Sequence, residues 1–175
     1  ADDGLDGVDH GCTGTARQID VKSINKHLSD HAIVLVPAMG YAMTGEIFNL
    51  GYESLASELS AQILAEKLVF FGAQSGLLDE QGALLRQLTV DQARCLADGL
   101  TEVCDLENRT HLLAAAESCK RGVKRAHLLS YVKDGSLLEE LFTRDGSGTM
   151  VSQDDYDEIR PACLEDVNGI LELIQ

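Results

Sequence analysis

The chain has 175 residues, 45% of them apolar and 25% charged, with a net charge of −15 and no tryptophan. That length suits one good core with a short extra piece. The acidic balance argues against non-specific binding to nucleic acid or to an anionic membrane, both of which need basic surface. An aromatic fraction of 5% leaves little for a base-stacking platform.

In chain order, "ADDGLDGVDHG" opens as a loop, and a first residue other than Met suggests a start partway through a larger protein. "DVKSINKHLS" (20–29) has Val21, Ile24 and Leu28 at helical spacing. "HAIVLVPA" (31–38) reads as a strand buried on both faces and ended by Pro37. "YAMTGEIFNL" (41–50) reads as a hairpin turning at Gly45. Leu55, Leu59 and Ile63 make an apolar stripe along 52–68, a helix packed on a sheet. "KLVFFGAQSGLL" (67–78) begins as a buried strand and breaks at Gly72, and "DEQG" is a turn.

Helices follow at 90–100 and 109–122, the second ended by Gly122 as a left-handed cap. "VKRAHLLSY" (123–131) is a third buried strand. A short helix over 135–142 opens at Ser136, with Glu139 completing a capping box, and "TMVS" is a last strand. Residues 152–161 read as an acidic linker ending at Pro161. Val167, Ile170, Leu171 and Ile174 then mark the start of another helix. Buried strands of the parallel kind alternating with helices predict a three-layer α/β/α sandwich with a mainly parallel sheet. Ligands in such folds bind at the carboxyl ends of the strands, so the loops 37–53, 71–77 and 131–148 are the candidates.

The longest apolar runs fall far short of the ~20 residues of a membrane span. The five cysteines (Cys12, Cys95, Cys104, Cys119, Cys163) are odd in number and form no C-x-x-C, which favours free thiols in a reducing cytoplasm. His10 and Cys12 form a lone pair where zinc wants four ligands, so no metal site is assigned. Gly72, Ser75 and Gly76 suit a tight turn better than a phosphate cradle, and no P-loop or dinucleotide fingerprint occurs. His111 and His127 read as ordinary core or surface histidines. Ser130, Asp134 and His127 lack the nucleophile elbow of a hydrolase.

The loop "LFTRDGSGTM" (141–150) follows Glu139 and Glu140. A carboxylate beside glycine-exposed backbone suits a cationic or zwitterionic ligand, and a plain helix-to-strand turn suits the pattern too.

"TGEIFNL…LASELSAQILAEKL", "HLLSYVKDGSLLEELFTRDGSGTMV" and "IRPACLEDVNGILELI" resemble, in order, the bacterial N-acetylglutamate synthases. The resemblance implies an amino-acid N-acetyltransferase that makes N-acetylglutamate from acetyl-CoA and glutamate, at the start of arginine biosynthesis. It implies an amino-acid-kinase-like domain through residue 151, a linker at 152–161, and a truncated start of the acetyltransferase domain at 162–175. The acetyl-CoA site then falls outside this chain, and no cofactor is expected within it. Cys163 stands where relatives usually carry a Thr helix cap.

Set against acetylglutamate kinase, the nucleotide-site positions fall on Asn49, Glu53, Ala73 and Thr110. The last replaces a catalytic lysine, with Arg109 adjacent. Without that lysine the site reads as a degenerate kinase. The arginine-sensitive relatives imply that Glu140 and Gly146 hold L-arginine as an allosteric effector, with Gly135 where relatives often carry a histidine. A cytoplasmic homo-oligomer is implied as well. The other readings are an active acetylglutamate kinase and a non-enzymatic oligomerisation module.

Overall fold

A computed structural model describes residues 13–79, 81–100, 106–143 and 146–153. The predicted linker beyond Gln153, the helix start at 162–175 and Cys12, Cys104 and Cys163 lie outside the described residues.

Helix α1 (Val21–Ser29) begins where Asp20 accepts hydrogen bonds from the Ser23 N–H (3.1 Å) and hydroxyl (2.7 Å). Strand β1 (Thr13–Gly14) pairs parallel with β3 (Ile47–Leu50). That strand forms the predicted hairpin with β2 (Met39–Tyr41), turning at Gly45. This small sheet is followed by helix α2 (Tyr52–Gln62).

The main sheet has the order β4 (Lys67–Gly72), β6 (Arg125–Ser130), β7 (Thr149–Ser152), β5 (Gln87–Thr89). β4 runs parallel to β6 and β5 parallel to β7, while β6 and β7 are antiparallel. Helices α3 (Val90–Gly99) and α4 (Leu106–Lys120) complete the core on one face. The core gathers Phe70, Leu88, Ala97, Leu112, Ala126, Leu128 and Val151. Ala114, Ala115 and Ala116 are nearly fully buried. Their small side chains let α4 pack against α2, α3 and the sheet at once. Ser118 ties α2 to α4 by donating to the Ser57 hydroxyl at 2.9 Å. α4 ends as predicted at Gly122 (φ 108°), with the Val123 N–H reaching back to the Ser118 carbonyl. Helix α5 (Ser136–Phe142) packs against β6, and the buried contact from its Glu140 to His127 lies on the sheet face away from Ala126 and Leu128. Helices thus cover both faces, giving the three-layer α/β arrangement.

Two expectations fail. The run 31–38 forms no strand, and Ile33 and Leu35 are 91% and 89% exposed. A β-branched run encodes a strand only when a neighbouring edge satisfies its backbone, and the described strands meet it only at its end, where the Ala38 carbonyl accepts the Leu50 N–H at 3.0 Å. The Ser136–Glu139 capping box also does not form. Gly135 (φ 73°) is the cap residue, and the Ser136 hydroxyl donates instead to the Ser130 carbonyl at 2.7 Å.

Among the described residues, no helix is long and apolar enough to cross a membrane. Cys95 is exposed and Cys119 buried, both as free thiols, and burial raises the Cys119 thiol to about 11.

The Thr89–Gln92 capping box starts α3, with both reciprocal bonds in place (3.3 and 2.8 Å). Thr89→Ala should therefore lower stability by about 1 kcal/mol, read as a shifted urea midpoint with an unchanged denaturant slope.

Candidate functional site

The turn after β6 brings α5 back across the sheet. Gly72 accepts the Tyr131 N–H at 3.0 Å, which joins the ends of β4 and β6. From α5, the Glu140 side chain reaches inward and is only 7% exposed. Its Oε1 accepts from His127 Nδ1 at 2.6 Å, and its Oε2 accepts the backbone N–H of Ser147 (2.6 Å) and Gly148 (3.1 Å). One carboxylate thereby gathers a strand, a helix and a loop.

The glycines of the loop are required by this arrangement. Gly146 has φ 63°, and a Cβ there would stand 2.5 Å from Glu140 Oε2. At Gly148 a Cβ would stand 2.1 Å from the Leu128 carbonyl oxygen. The rest of the loop is also tied. The Gly146 N–H donates to Thr143 Oγ1 (3.2 Å), Arg86 donates to the Gly146 carbonyl (3.3 Å), and the Ser147 hydroxyl donates to the Ser136 carbonyl (2.8 Å).

Hydrogen bonding from His127 is the main influence holding the Glu140 carboxyl below the usual range. The Ser147 and Gly148 amides act the same way, and burial opposes them. Glu140 and Gly146, predicted as a pair, are thus in direct proximity. Gly135, where relatives often carry a histidine, is the left-handed cap of α5. His127 is the neighbour of Glu140 that reading the sequence did not pair with it. Its ring is 7% exposed, and its Nε2 is buried without a hydrogen-bond partner among the described residues.

The nucleotide-site positions are spread more widely. Glu53 and Thr110 line one groove of about 410 Å³ between α2 and α4. The cation lining it is Arg121, which is already paired with Glu58 and Glu117. Ala73 follows β4, and its N–H donates to Glu107 at 3.1 Å. Asn49 stands exposed on β3, paired with Thr13 and Met39. Arg109 turns away and donates to the Ala97 carbonyl at 3.2 Å.

His111 is buried, stacked on Phe70 at 5.0 Å and hydrogen-bonded to the Tyr52 hydroxyl at 2.7 Å. Burial lowers its pKa while Glu107 and Glu53 raise it. The end of β4 therefore has the Glu107 carboxylate bonded to the Ala73 amide, with Glu107 and Glu53 both acting on His111. Ser130, Asp134 and His127 form no triad, since Ser130 bonds the Ala73 carbonyl and His127 bonds Glu140. Gly76 packs on Thr149 as a turn residue. Among the described residues, no group of three or more His, Cys, Asp or Glu side chains could hold a metal.

No protein-family model matches the chain. It is 47% identical to the amino-acid acetyltransferase of Azotobacter vinelandii, over 98% of this chain and 39% of that protein. To the amino-acid acetyltransferase of Pseudomonas syringae pv. tomato it is 46% identical, over 97% of this chain and 39% of that protein. By sequence, the chain is similar to part of these amino-acid acetyltransferases along nearly its whole length.

The fold agrees. N-acetylglutamate synthase from Neisseria gonorrhoeae, solved with coenzyme A and L-arginine, superposes with a TM-score of 0.83 at 32% identity, over 97% of this chain and 39% of that one. Carbamate kinase from Giardia shares the fold alone, at 14% identity and a TM-score of 0.58. The chain thus spans about 39% of the length of the acetyltransferases it matches.

The depressed Glu140 pKa fixes the direction of a pH effect. A carboxyl lowered on folding contributes stability that is fully present above the ordinary carboxylate range and is lost as pH falls through it. Between pH 7 and pH 3 the wild type should lose more stability than Glu140→Gln, compared by urea midpoints at each pH.

Proposed function

We propose that this chain is the kinase-like regulatory portion of an N-acetylglutamate synthase. The complete polypeptide would transfer the acetyl group of acetyl-CoA to L-glutamate and respond to L-arginine at the 140–148 loop. In this reading residues 1–151 form the C-terminal part of the kinase-like domain, 152–161 a linker and 162–175 the start of the acetyltransferase domain. The protein works in the cytoplasm as a homo-oligomer.

The observation that carries the proposal is the Glu140–Gly146 pair, held together in a chain that matches acetyltransferases along nearly its whole length. The gonococcal relative was solved with L-arginine and coenzyme A, which fits an arginine response in this lineage. A guanidinium or ammonium group suits a loop built around a carboxylate and glycine carbonyls. Arginine would act at a distance by binding one arrangement of the domains more tightly than another.

The end of β4 supports the loss of kinase chemistry. Phosphoryl transfer depends on positioning and on neutralising charge. Here Glu53 and Glu107 face Tyr52 and His111, Thr110 stands at the lysine position, and Arg121 is engaged elsewhere. The kinase alternative therefore has little chemical support.

Titration calorimetry of the complete polypeptide with L-arginine should give saturable heat for the wild type and none for Glu140→Ala. Equal heats for the two proteins would remove Glu140 from the effector site.

A further inference from the structure

Gly146 is held on both sides of its α-carbon. Its N–H donates to Thr143 Oγ1 at 3.2 Å, and its carbonyl accepts from the Arg86 guanidinium at 3.3 Å. Oε2 of Glu140 already takes two backbone amides and Oε1 a ring nitrogen. A cation arriving at this loop therefore depends on backbone carbonyls for much of its bonding.

Arg86 reaches the Gly146 carbonyl from a fixed place. It immediately precedes β5, and its own carbonyl accepts the Met150 N–H of β7 at 2.9 Å. The next residue, Gln87, is the register partner of Met150. Arg86 is thus anchored to the strand into which the 140–148 loop runs, although 60 residues separate it from Gly146 in sequence. The residue is exposed, and its guanidinium is nevertheless turned onto the loop.

We propose that Arg86 is a built-in guanidinium that occupies the Gly146 carbonyl in competition with an arriving cation. It thereby sets how tightly the loop takes L-arginine. The link to L-arginine rests on the functional reading above, whereas the contact itself rests on the hydrogen bond. Two effects act in the same direction. The internal donor fills one of the two lone-pair directions that the carbonyl offers. Its charge also repels a second cation at close range, and more strongly beside a partly closed loop than in bulk water. Removing the side chain should therefore favour the effector. Loss of a residue that grips the effector would do the opposite.

The test uses the complete polypeptide as wild type, Arg86→Ala and Arg86→Lys. The Gly146 carbonyl and the Ser147 N–H belong to one peptide unit, so the Ser147 amide nitrogen signal reports on the bond to that carbonyl. Arg86→Ala should move this signal. Added methylguanidinium should return it saturably towards the wild-type position and leave the wild type unmoved. A Ser147 signal indifferent to the substitution, or an alanine variant that methylguanidinium does not restore, overturns the proposal.

L-arginine should bind Arg86→Ala roughly three- to tenfold more tightly than wild type. Arg86→Lys, which keeps the charge and loses the planar fork, should fall between them. If neither wild type nor the alanine variant takes up L-arginine while methylguanidinium still restores the Ser147 signal, the effector reading fails and Arg86 stands as the guanidinium of the loop. If L-arginine binds the alanine variant no better than wild type, the competition fails and the effector reading stands.

Discussion

A carboxylate removed from water must have its charge answered by donors, and Glu140 finds them in three different parts of the fold. This one requirement fixes much of what surrounds it. α5 must lie over the β6 face that carries His127, and the chain leaving α5 must turn back sharply enough to present two successive amides. A turn that tight leaves no room for a side chain at Gly146, where a Cβ would strike the carboxylate. The return into β7 brings Gly148 against the Leu128 carbonyl, so the second glycine follows from the first. The stretch after α5 is therefore a clasp whose sequence is dictated by the carboxylate it closes upon.

Two loops at the same end of the sheet have opposite electrostatics. At the 140–148 loop, negative charge is matched and held. At the end of β4, the Ala73 amide that could meet an anion is given to Glu107, and burial keeps His111 biased towards its neutral form. Carbamate kinase shares the fold at 14% identity, a likeness of scaffold alone. In this chain, the described residues of the sheet support a charge-matched loop at 140–148.

Much of the architecture was legible in periodicity. The apolar spacing of 20–29, 90–100 and 109–122 marks helices, the 52–68 stripe is helical only as far as Gln62, and the runs opening 67–78 and within 123–131 mark strands. What periodicity could not give was partnership. The 31–38 run has the composition of a buried strand, yet strand formation depends on an adjacent edge. β5 is three residues long, too short for an alternating pattern, and the antiparallel pairing of β6 with β7 depends on the path of the intervening loop. Ser136 carried a capping signature, but the left-handed Gly135 took the cap position and freed the hydroxyl for Ser130. For the site, Glu140 and Gly146 were visible as a motif. His127 lies 13 residues before Glu140 and belongs to another element. The alternation along β6 put it opposite Ala126 and Leu128, but only the placement of α5 reveals what waits on that face.

The most direct test of the clasp is to follow the Glu140 side-chain carboxyl carbon by NMR through an acid titration, together with the Ser147 and Gly148 amides. The account predicts a Glu140 midpoint below the ordinary glutamate range, with both amide signals moving at that same midpoint as their acceptor is protonated. An ordinary midpoint, or amides that ignore the titration, would contradict it.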